Sequence, residues 1–354
     1  MQLIVAFYAV TSNDIKQLAL QLGFQDCKIS DCNLSTAHED YQQWLNKNFH
    51  AGMGYMQRNI DKRLNPEKLV PNTVSIITVR MDYLPYEKNN PIDLLNQPDK
   101  AIISRYALGR DYHKVIRKRL QKLATQIQQQ TDLTDYRVFT DSAPILEKQI
   151  AQKSGIGWRG KHSNILTREG SWFFLGEIYT DIPLTPDLPI AQHCGSCSSC
   201  IDVCPTQAIV EPYVVDANKC ISYLTIEHFG FIEEQYHHAI GNRIYGCDDC
   251  QLFCPWNKYA KPTVEQDFDI RHSLDDIDLL QCFNWTEEEF LNNMEGSPIR
   301  RIGYDRWIRN IAIALGNAPY SDQIETALSL KLKTTKDWLN LQIEFALAKH
   351  RKST

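Results

Sequence analysis

Eight of the eleven cysteines lie within residues 194–254, and this cluster constrains the chain more than any other feature. A secreted protein of 354 residues would more often spread its cysteines along the chain as disulfide partners. The opening residues carry neither the basic segment nor the cleavage site of a signal peptide, and no apolar run reaches the roughly 18 residues that span a bilayer. We therefore expect a cytoplasmic protein without membrane contact, in which clustered thiols bind metal.

The first group of cysteines, Cys194, Cys197, Cys200 and Cys204 with Pro205 after it, has the spacing C-x2-C-x2-C-x3-C-P. In this ferredoxin pattern three thiolates bind one 4Fe-4S cluster and the fourth binds a second cluster. Two intervening residues allow a tight loop to point successive thiolates at neighbouring corners of one cube. The proline then turns the chain away, so that the last thiolate points elsewhere.

The second group of cysteines, Cys247, Cys250 and Cys254 before Pro255, repeats the last three positions of the same pattern. Cys220 can fill the missing first position. Two zinc sites with four thiolates each are the alternative, but zinc does not explain two Cys-Pro endings. The predicted ligand sets are Cys194, Cys197, Cys200 and Cys254 for the first cluster, and Cys220, Cys247, Cys250 and Cys204 for the second.

The other three cysteines, Cys27, Cys32 and Cys282, lie outside this cluster. Free cysteines are often small buried hydrophobic side chains, so we assign these three no role. The length and the 43% hydrophobic content allow an ordinary core that is divided among two or three domains.

Basic residues concentrate in two stretches of a chain whose net charge is -5. Residues 296–354 hold ten Lys and Arg against five Asp and Glu, and residues 101–120 hold six basic residues against one aspartate. Positive patches on an acidic protein can dock a polyanion, because phosphate binding depends on the local field. Each stretch alone is equally typical of a solvated helix face.

The region before the cysteines alternates helix and strand patterns. Residues 12–23 predict a helix, and residues 72–79 and 136–140 predict strands. Residues 141–155 then predict a helix with a proline in its first turn, and residues 163–178 predict a hairpin. This alternation is typical of an α/β or α+β domain, and the apolar first ten residues are interpreted as a strand or core segment.

Three parts of the chain are expected to fold as units. Prolines at positions 183, 186 and 189 predict a stiff extended linker. Beyond the cysteines the pattern is helical, and the last three amphipathic helices resemble one unit of an α-solenoid. The predicted units are residues 1–185, residues 186–262 with the cysteines, and the helical residues 263–354.

Several longer stretches closely resemble the epoxyqueuosine reductase family, whose members complete queuosine in transfer RNA. They include ISRYALGRDYHKVIRKRL, FTDSAPILEKQIAQKSGIGWRGKHSNIL, GSWFFLGEI, CGSCSSCIDVCPTQAI, CISYLTIE and IGNRIYGCDDCQLFCPWN. The resemblance extends from about residue 15 to residue 316. It implies an α+β fold similar to that of corrinoid reductive dehalogenases, a cobalamin in the first domain, a two-cluster ferredoxin module and a HEAT-like, tRNA-contacting tail.

The resemblance also implies the reaction. Epoxyqueuosine would be reduced to queuosine, as the last step of queuosine biosynthesis, at the wobble position of tRNAs for Asn, Asp, His and Tyr. Converting an epoxide to an alkene and water takes two electrons and two protons, and low-potential clusters deliver electrons singly. We expect cob(I)alamin to act as the carbon nucleophile, an external low-potential donor to reduce the clusters, and the enzyme to be a monomer.

Asp141 is the residue that the resemblance implies as the acid for the opening epoxide. It stands where a predicted strand meets a predicted helix, a common position for ligand-binding residues in α/β folds. Aspartate is also among the best helix N-caps, so a capping role is the structural alternative. A cap would favour the carboxylate, whereas a general acid needs a raised pKa.

Further residues in the matching stretches are implied to contact cofactor or tRNA. His113 and His162 lie in the same stretches and are assigned no role. The expected tRNA contacts are Arg300 and Arg301, and the expected corrin and substrate contacts are Arg63, Arg105, Tyr106, Asp111, Tyr112, Lys161, Asn164 and Ser222.

Two other functions were weighed against this one. A corrinoid dehalogenase acting on a small molecule would share the cofactors but would have no use for basic patches. A ferredoxin-type electron carrier would leave the large upstream region and the helical tail unexplained.

Overall fold

The computed structural model describes residues 11–131, 133–332 and 336–351, and the apolar segment interpreted as a first strand lies outside them. No helix in these ranges is long and apolar enough to cross a membrane. The strands are β1 (Asp26–Ser30), β2 (Ser75–Asp82), β3 (Ile102–Ile103), β4 (Tyr136–Phe139), β5 (Trp158–Arg159), β6 (Ile165–Leu166), β7 (Phe173–Thr180), β8 (Ile209–Glu211), β9 (Val214–Val215) and β10 (Arg243–Tyr245).

The helices are mostly short in the cysteine-rich region and longer at the C-terminus. In chain order they are α1 (Ser12–Gln21), α2 (His38–Asn46), α3 (Ile60–Leu64), α4 (Pro66–Leu69), α5 (Pro91–Leu94), α6 (Tyr112–Gln128), α7 (Glu147–Ser154), α8 (Ser199–Asp202), α9 (Ile221–Ile226), α10 (His237–Ile240), α11 (Asp249–Leu252), α12 (Leu279–Asn284), α13 (Glu287–Asn293), α14 (Gly303–Asn317), α15 (Asp322–Lys331) and α16 (Asp337–Arg351).

An antiparallel four-stranded sheet in the order β1-β2-β7-β4 forms the centre of the first region. Helices α1 and α6 pack on one face of this sheet, and α2 and α7 lie with the core on the other face. Gly176 on β7 allows α6 to approach closely, because a Cβ there would lie 2.9 Å from atoms of Ile116 and Leu120. Layered helices on an antiparallel sheet confirm the predicted α+β class.

The helix predicted over residues 141–155 begins six residues later than expected, at Glu147. Asp141 has φ 57°, in the left-handed region, and residues 141–146 form turns instead of a first helical turn. Pro144 therefore precedes the helix, and Leu146 occupies the N-cap position. The alternative that Asp141 caps this helix is wrong.

The hairpin predicted over residues 163–178 is also wrong. Strand β6 pairs with β5, whereas β7 belongs to the central sheet. Only the bridge between Thr167 and Gly170 remains of the expected turn. The reason is that β7 has two longer partners, β2 and β4, which use both of its edges.

The three predicted C-terminal helices are confirmed as α14, α15 and α16. Their buried side chains share one core with residues 101–108, and β10 pairs in parallel with β3. Contacts thus cross the predicted unit boundaries at 185 and 262, and the three-unit division stays a prediction. The proline-rich linker has no helix or strand, but Asp187 fastens it through bonds with the Ile29 backbone and Lys16.

Candidate active site and cluster ligands

The four thiols of the first predicted ligand set lie together at one end of the cysteine-rich region. Burial, followed by the neighbouring thiols of Cys254, Cys194 and Cys197, raises the pKa of Cys200 to about 11. Cys197 is exposed, so this set is the one nearer the solvent. Three of its members surround the short turn into α8, and Cys254 comes from the distant turn after α11.

The second set, whose four cysteines are all partly buried, adjoins the first. Burial raises the pKa of Cys250 well above its usual value, and Cys220, Cys200 and Cys204 add to the effect. The electrostatic neighbours of Cys250 thus include two partners from its own set and one thiol of the other set. The structure brings together thiols that lie about 30 or more residues apart, as two adjacent clusters require.

No group of three or more His, Cys, Asp or Glu side chains among residues 11–131, 133–332 and 336–351 is arranged around one metal ion. In a 4Fe-4S cluster each thiolate binds a different iron, so the sulfurs are further apart than around a zinc ion. The arrangement is compatible with cubane ligands.

A buried donor beside the first set provides a test of whether a cluster fits there. Trp158 is fully buried and packs in one small hydrophobic cluster with Cys254, Cys194 and Trp256. Its Nε1 has no acceptor among the described residues. A buried donor without a partner is costly, and the sulfur atoms of a bound cluster would supply the acceptor.

A cavity of about 430 Å³ connects the second set with the first domain. Cys204, Cys220 and Cys250 line it together with Asp141 and Tyr112. The cavity therefore adjoins both a place for an electron carrier and a carboxyl group that can exchange protons.

Asp141 belongs to a network assembled from three distant parts of the chain. The Tyr112 hydroxyl donates to Asp141 Oδ2 at 2.5 Å, and His113 Nε2 lies 3.1 Å from the same oxygen. His113 Nδ1 lies 2.7 Å from Asp111 Oδ1. Arg301 donates to Asp111 Oδ2 at 2.9 Å, and its second terminal nitrogen lies 3.2 Å from His113 Nε2.

The network determines where its proton lies. Burial favours the neutral carboxyl, but the hydrogen bonds of His113 and Tyr112 outweigh it and lower the pKa of Asp141. Burial likewise opposes the charged imidazole, but the hydrogen bonds to Asp111 and Asp141 raise the pKa of His113. The Asp141 side chain is 56% exposed to the open cavity. The network therefore favours a protonated His113 beside an ionised Asp141.

Several predicted contact residues are brought together around this cavity. Tyr106, Tyr112, Asn164 and Ser222 all line it with Asp141. The other predicted contact in this area, Asp111, caps α6 through His113 N and is bonded to Arg301, so its carboxylate supports the network from behind.

Three predicted cofactor contacts do not line this cavity. Arg105 bonds to Glu87 at 2.8 Å and stacks on Trp172. Lys161 donates to the carbonyls of Gly195 and Cys197, both at 2.8 Å, in the loop of the first ligand set. The third residue, Arg63, donates to the Tyr55 carbonyl at 3.0 Å. Their side chains support neighbouring loops.

The cavity also has a wall residue to which the sequence assigned no role. His162 Nδ1 accepts from Asn164 N at 3.1 Å, so the ring proton is on Nε2. That buried Nε2 has no acceptor among the described residues, and burial lowers the pKa of His162 to about 4. A neutral donor that lines the cavity fits the carbonyl oxygens of an amide-rich cofactor such as cobalamin.

Glu147 and Glu177 are the other functional candidates that sequence analysis missed. Glu147 lines the cavity, and Glu177 is buried in the sheet behind it. A carboxylate within the strand pattern FFLGEI was the available signal, because glutamate is rarely buried without a partner.

The fold and the eight grouped thiols define an iron–sulfur oxidoreductase. The family model described as "Epoxyqueuosine reductase QueG, DUF1730" matches residues 63–142, and a "4Fe-4S double cluster binding domain" matches residues 193–257. Epoxyqueuosine reductase from Pseudomonas aeruginosa is 49% identical over 96% of this chain and 94% of its own, and that from Escherichia coli is 52% identical over 94% and 88%. The chain belongs to the epoxyqueuosine reductase family.

Solved structures agree with this assignment. An epoxyqueuosine reductase crystallised with an epoxyqueuosine-modified stem loop of tyrosine tRNA has a TM-score of 0.82 and 25% identity, covering 96% of this chain and 98% of that one. The enzyme from Bacillus subtilis, with its catalytic aspartate loop swung out of the active site, has a TM-score of 0.81 and 25% identity, covering 95% and 98%.

Proposed function

We propose that this chain reduces epoxyqueuosine to queuosine at the wobble position of tRNAs for Asn, Asp, His and Tyr, the last step of queuosine biosynthesis. One observation carries the proposal: thiols of the second ligand set and Asp141 line the same cavity. A cavity with this lining can receive both electrons and protons. The enzyme would act as a cytoplasmic monomer reduced by an external low-potential donor.

The electron path begins at the exposed first ligand set. The overall conversion takes two electrons and two protons, breaks both epoxide C–O bonds and forms an alkene and water. Two 4Fe-4S clusters would supply the electrons one at a time, held by Cys194, Cys197, Cys200 and Cys254 and by Cys204, Cys220, Cys247 and Cys250. Exposure of Cys197 supports entry of electrons at the first set.

Cobalamin is the cofactor proposed for the cavity. When bound, it would supply a reduced cobalt that can attack an epoxide carbon. His162, Asn164 and Ser222 would hold its polar edges, and Tyr106 would pack against it. The buried and unpartnered Nε2 of His162 is the observation that supports this fit. Arg63, Arg105, Asp111 and Lys161 would act less directly, through the loops and the network that they support.

Asp141 would deliver the proton to the epoxide oxygen. Its carboxylate is ionised at rest, but His113 lies 3.1 Å away and holds a proton. Transfer from His113 to Asp141 as negative charge develops on the oxygen would give the acid that the reaction needs. Asp111 and Arg301 would keep the His113 ring oriented.

The tRNA would dock where the two basic stretches meet. Arg301 from the second stretch bonds to Asp111 in the first, so the tail and the start of α6 adjoin beside Asp141. Arg300 and several basic residues of α6 are exposed. Phe229 is 76% exposed beneath Arg306 and offers a face for base stacking. The relative crystallised with a tRNA stem loop supports tRNA as the partner.

Three functional units are proposed on this basis. Residues 1–185 would bind the cobalamin, residues 186–262 would carry the clusters, and residues 263–354 would contact tRNA. Their shared core would keep the acid network and the docking surface in register.

Anaerobic reconstitution followed by single-turnover assay tests the proposal. We expect about eight iron and eight sulfide per chain, one bound cobalamin, and conversion of epoxyqueuosine tRNA after chemical reduction. Stoichiometric zinc without sulfide would overturn the cluster assignment. Fully loaded enzyme that reduces a halogenated aromatic but not the tRNA would overturn the substrate assignment.

A further inference from the structure

A buried carboxyl group lies in the middle of the central sheet. Glu177 on β7 is 0% exposed, and it pairs with Thr78 on β2 and with Phe139 on β4. Neither of its carboxyl oxygens has a hydrogen-bond donor within the described part of the chain. An ionised carboxylate in this position would be strongly destabilising, so the group needs a proton.

The neighbour of Glu177 is another carboxyl group. Glu147, the first residue of α7, is the nearest charged influence on Glu177, and α7 packs against β7. Two carboxyl groups at this range cannot both be ionised, and one proton between them relieves the repulsion. Burial, then the charge of Asp141, raises the pKa of Glu147 to about 8. Burial and Glu147 raise the pKa of Glu177 well above its usual range.

No salt bridge joins either glutamate to a cation among the described residues, although Lys148 and His113 partly lower the pKa of Glu147. Lys148 follows Glu147 in the chain, but its ammonium group donates to Asn164 Oδ1 at 3.2 Å and Ser163 Oγ at 3.4 Å. The other titratable groups facing the pair are Asp141, Tyr112, His113 and Tyr179. Of these only His113 carries positive charge, and it is bonded to Asp111 and Asp141.

The pair reaches from the core of the sheet to the reaction site. Glu147 lines the cavity, and its Oε1 accepts a hydrogen bond from the backbone N–H of Asp141. Asp141 Oδ2 in turn contacts Tyr112 and His113. Because Glu147 and Asp141 line the same cavity, the Asp141 carboxylate can accept a proton that leaves Glu147 by way of the cavity.

We propose that Glu147 and Glu177 share a proton and form a reserve that recharges Asp141 for the second protonation of the reaction. The inference deepens the proposed function and rests on it. The first proton goes from Asp141 to the epoxide oxygen as the first C–O bond breaks, which leaves a hydroxyl group. The second goes from Glu147 through Asp141 to that hydroxyl group, which departs as water when the second C–O bond breaks.

The electrons and protons of this reaction balance without another reactant. Two electrons come from the reduced cofactors of the proposed function, and the two protons come from the His113–Asp141 network and the glutamate pair. The pair then carries one more negative charge and takes a proton back from water in the open cavity. Glu147 and Glu177 act through Asp141, so they are positioning and proton-supplying residues.

Infrared spectroscopy of the whole reconstituted protein tests whether the proton is present. At neutral pH we expect a protonated-carboxyl C=O band that shifts in D2O and disappears above about pH 9, beyond the raised pKa of Glu147. Glu147→Gln should leave the proton on the buried Glu177, so the band should change frequency and persist above pH 9, whereas the exposed control Glu211→Gln should keep the wild-type band. A wild-type spectrum without the band, or a band unchanged in Glu147→Gln, would overturn the shared proton.

The pH dependence of single-turnover tRNA reduction tests whether the glutamate pair supplies the second proton. Glu147 is protonated below its raised pKa, so the wild-type rate should fall as the pH rises through about 8. Glu147→Gln should be roughly tenfold slower, less than the loss of a direct general acid, and should lack this alkaline decline. Glu177→Gln, if it folds, should behave in the same way.

The outcomes separate this inference from the proposed function. Wild-type enzyme that binds its cofactors but converts no tRNA overturns the proposed function, and the infrared result still decides whether the pair holds a proton. Wild-type enzyme that converts tRNA, alongside a Glu147→Gln variant with the same rate and pH profile, overturns the supply role alone.

Discussion

The cysteine-rich module and the Asp141 network are built in opposite ways. The module takes its predicted ligands from residues 194–254, and five of the eight occur in Cys-x2-Cys runs. The network takes Tyr112 and His113 from the start of one helix, Asp141 from a turn after a strand, and Arg301 from near the C-terminal helices. A site coded by local spacing can be recognised from sequence, whereas a site assembled by packing cannot.

The largest expected effect comes from breaking one ligand set while the other remains intact. Cys220→Ala should lose one cluster, about four of eight irons, and abolish turnover, because Cys220 belongs to the second set only. Iron and sulfide analysis with electron paramagnetic resonance would count the clusters. Cys32→Ala, outside both sets, should keep both. Retention of both clusters in Cys220→Ala would refute the proposed connectivity.

Asp141→Asn tests the centre of the other region. We expect turnover to fall by about 10²-fold or more, with clusters, cobalamin and tRNA affinity unchanged, because the amide cannot pass on a proton. The side chain caps no helix, so thermal stability should change little. Single-turnover conversion of epoxyqueuosine tRNA is the measurement. Near-normal conversion would remove Asp141 from the reaction and leave another donor as the acid.

The adjacent residues Arg300 and Arg301 allow tRNA binding to be separated from control of the His113 proton. Arg300 is exposed, whereas Arg301 bonds to Asp111 and approaches His113. Arg300→Gln should weaken tRNA binding a few-fold and reduce its salt dependence by about one counterion, with an unchanged pH profile. Arg301→Gln should also shift the pH profile of turnover, because His113 loses a neighbour. Identical pH profiles for both variants would contradict the assigned role of Arg301.

The smallest expected effect concerns the reduction potential of the first cluster. Trp158→Phe removes the buried indole N–H but keeps an aromatic ring against Cys254. A hydrogen bond to sulfur stabilises the reduced cluster, so its loss should lower that potential by an amount worth about 1 kcal/mol. Redox titration followed by electron paramagnetic resonance would detect it. An unchanged first cluster, or a shift confined to the second, would show that the indole donates elsewhere.

The Asp141 turn shows where sequence reasoning failed. The pattern after β4 predicted a helix from residue 141, yet the left-handed backbone at Asp141 delays its start to Glu147. That delay frees the carboxyl group for the cavity and places Glu147 behind it. Helix periodicity predicts that a helix is present. The residue at which the helix begins is decided by a few backbone dihedral angles, which depend on tertiary contacts.

The basic C-terminal stretch shows a second limit of prediction from sequence. Its charge suggested polyanion binding, but Arg309 is 0% exposed and donates to the carbonyls of Leu224, His228 and Gly230. Burial lowers the pKa of this arginine to about 9. Charge counts therefore overstate the available surface field, because they do not separate structural arginines from exposed ones.

The sequence by itself determined the 4Fe-4S double-cluster class, the helical C-terminus and the family. These follow from spacings of a few residues and from long matching stretches, which are properties of the chain alone. Only the tertiary structure decided that Arg301 meets Asp111 and His113 beside Asp141, and that Glu177 lies against Glu147 in the sheet. Those contacts join residues up to 190 positions apart. They depend on how helices pack across an antiparallel sheet, which no local pattern encodes.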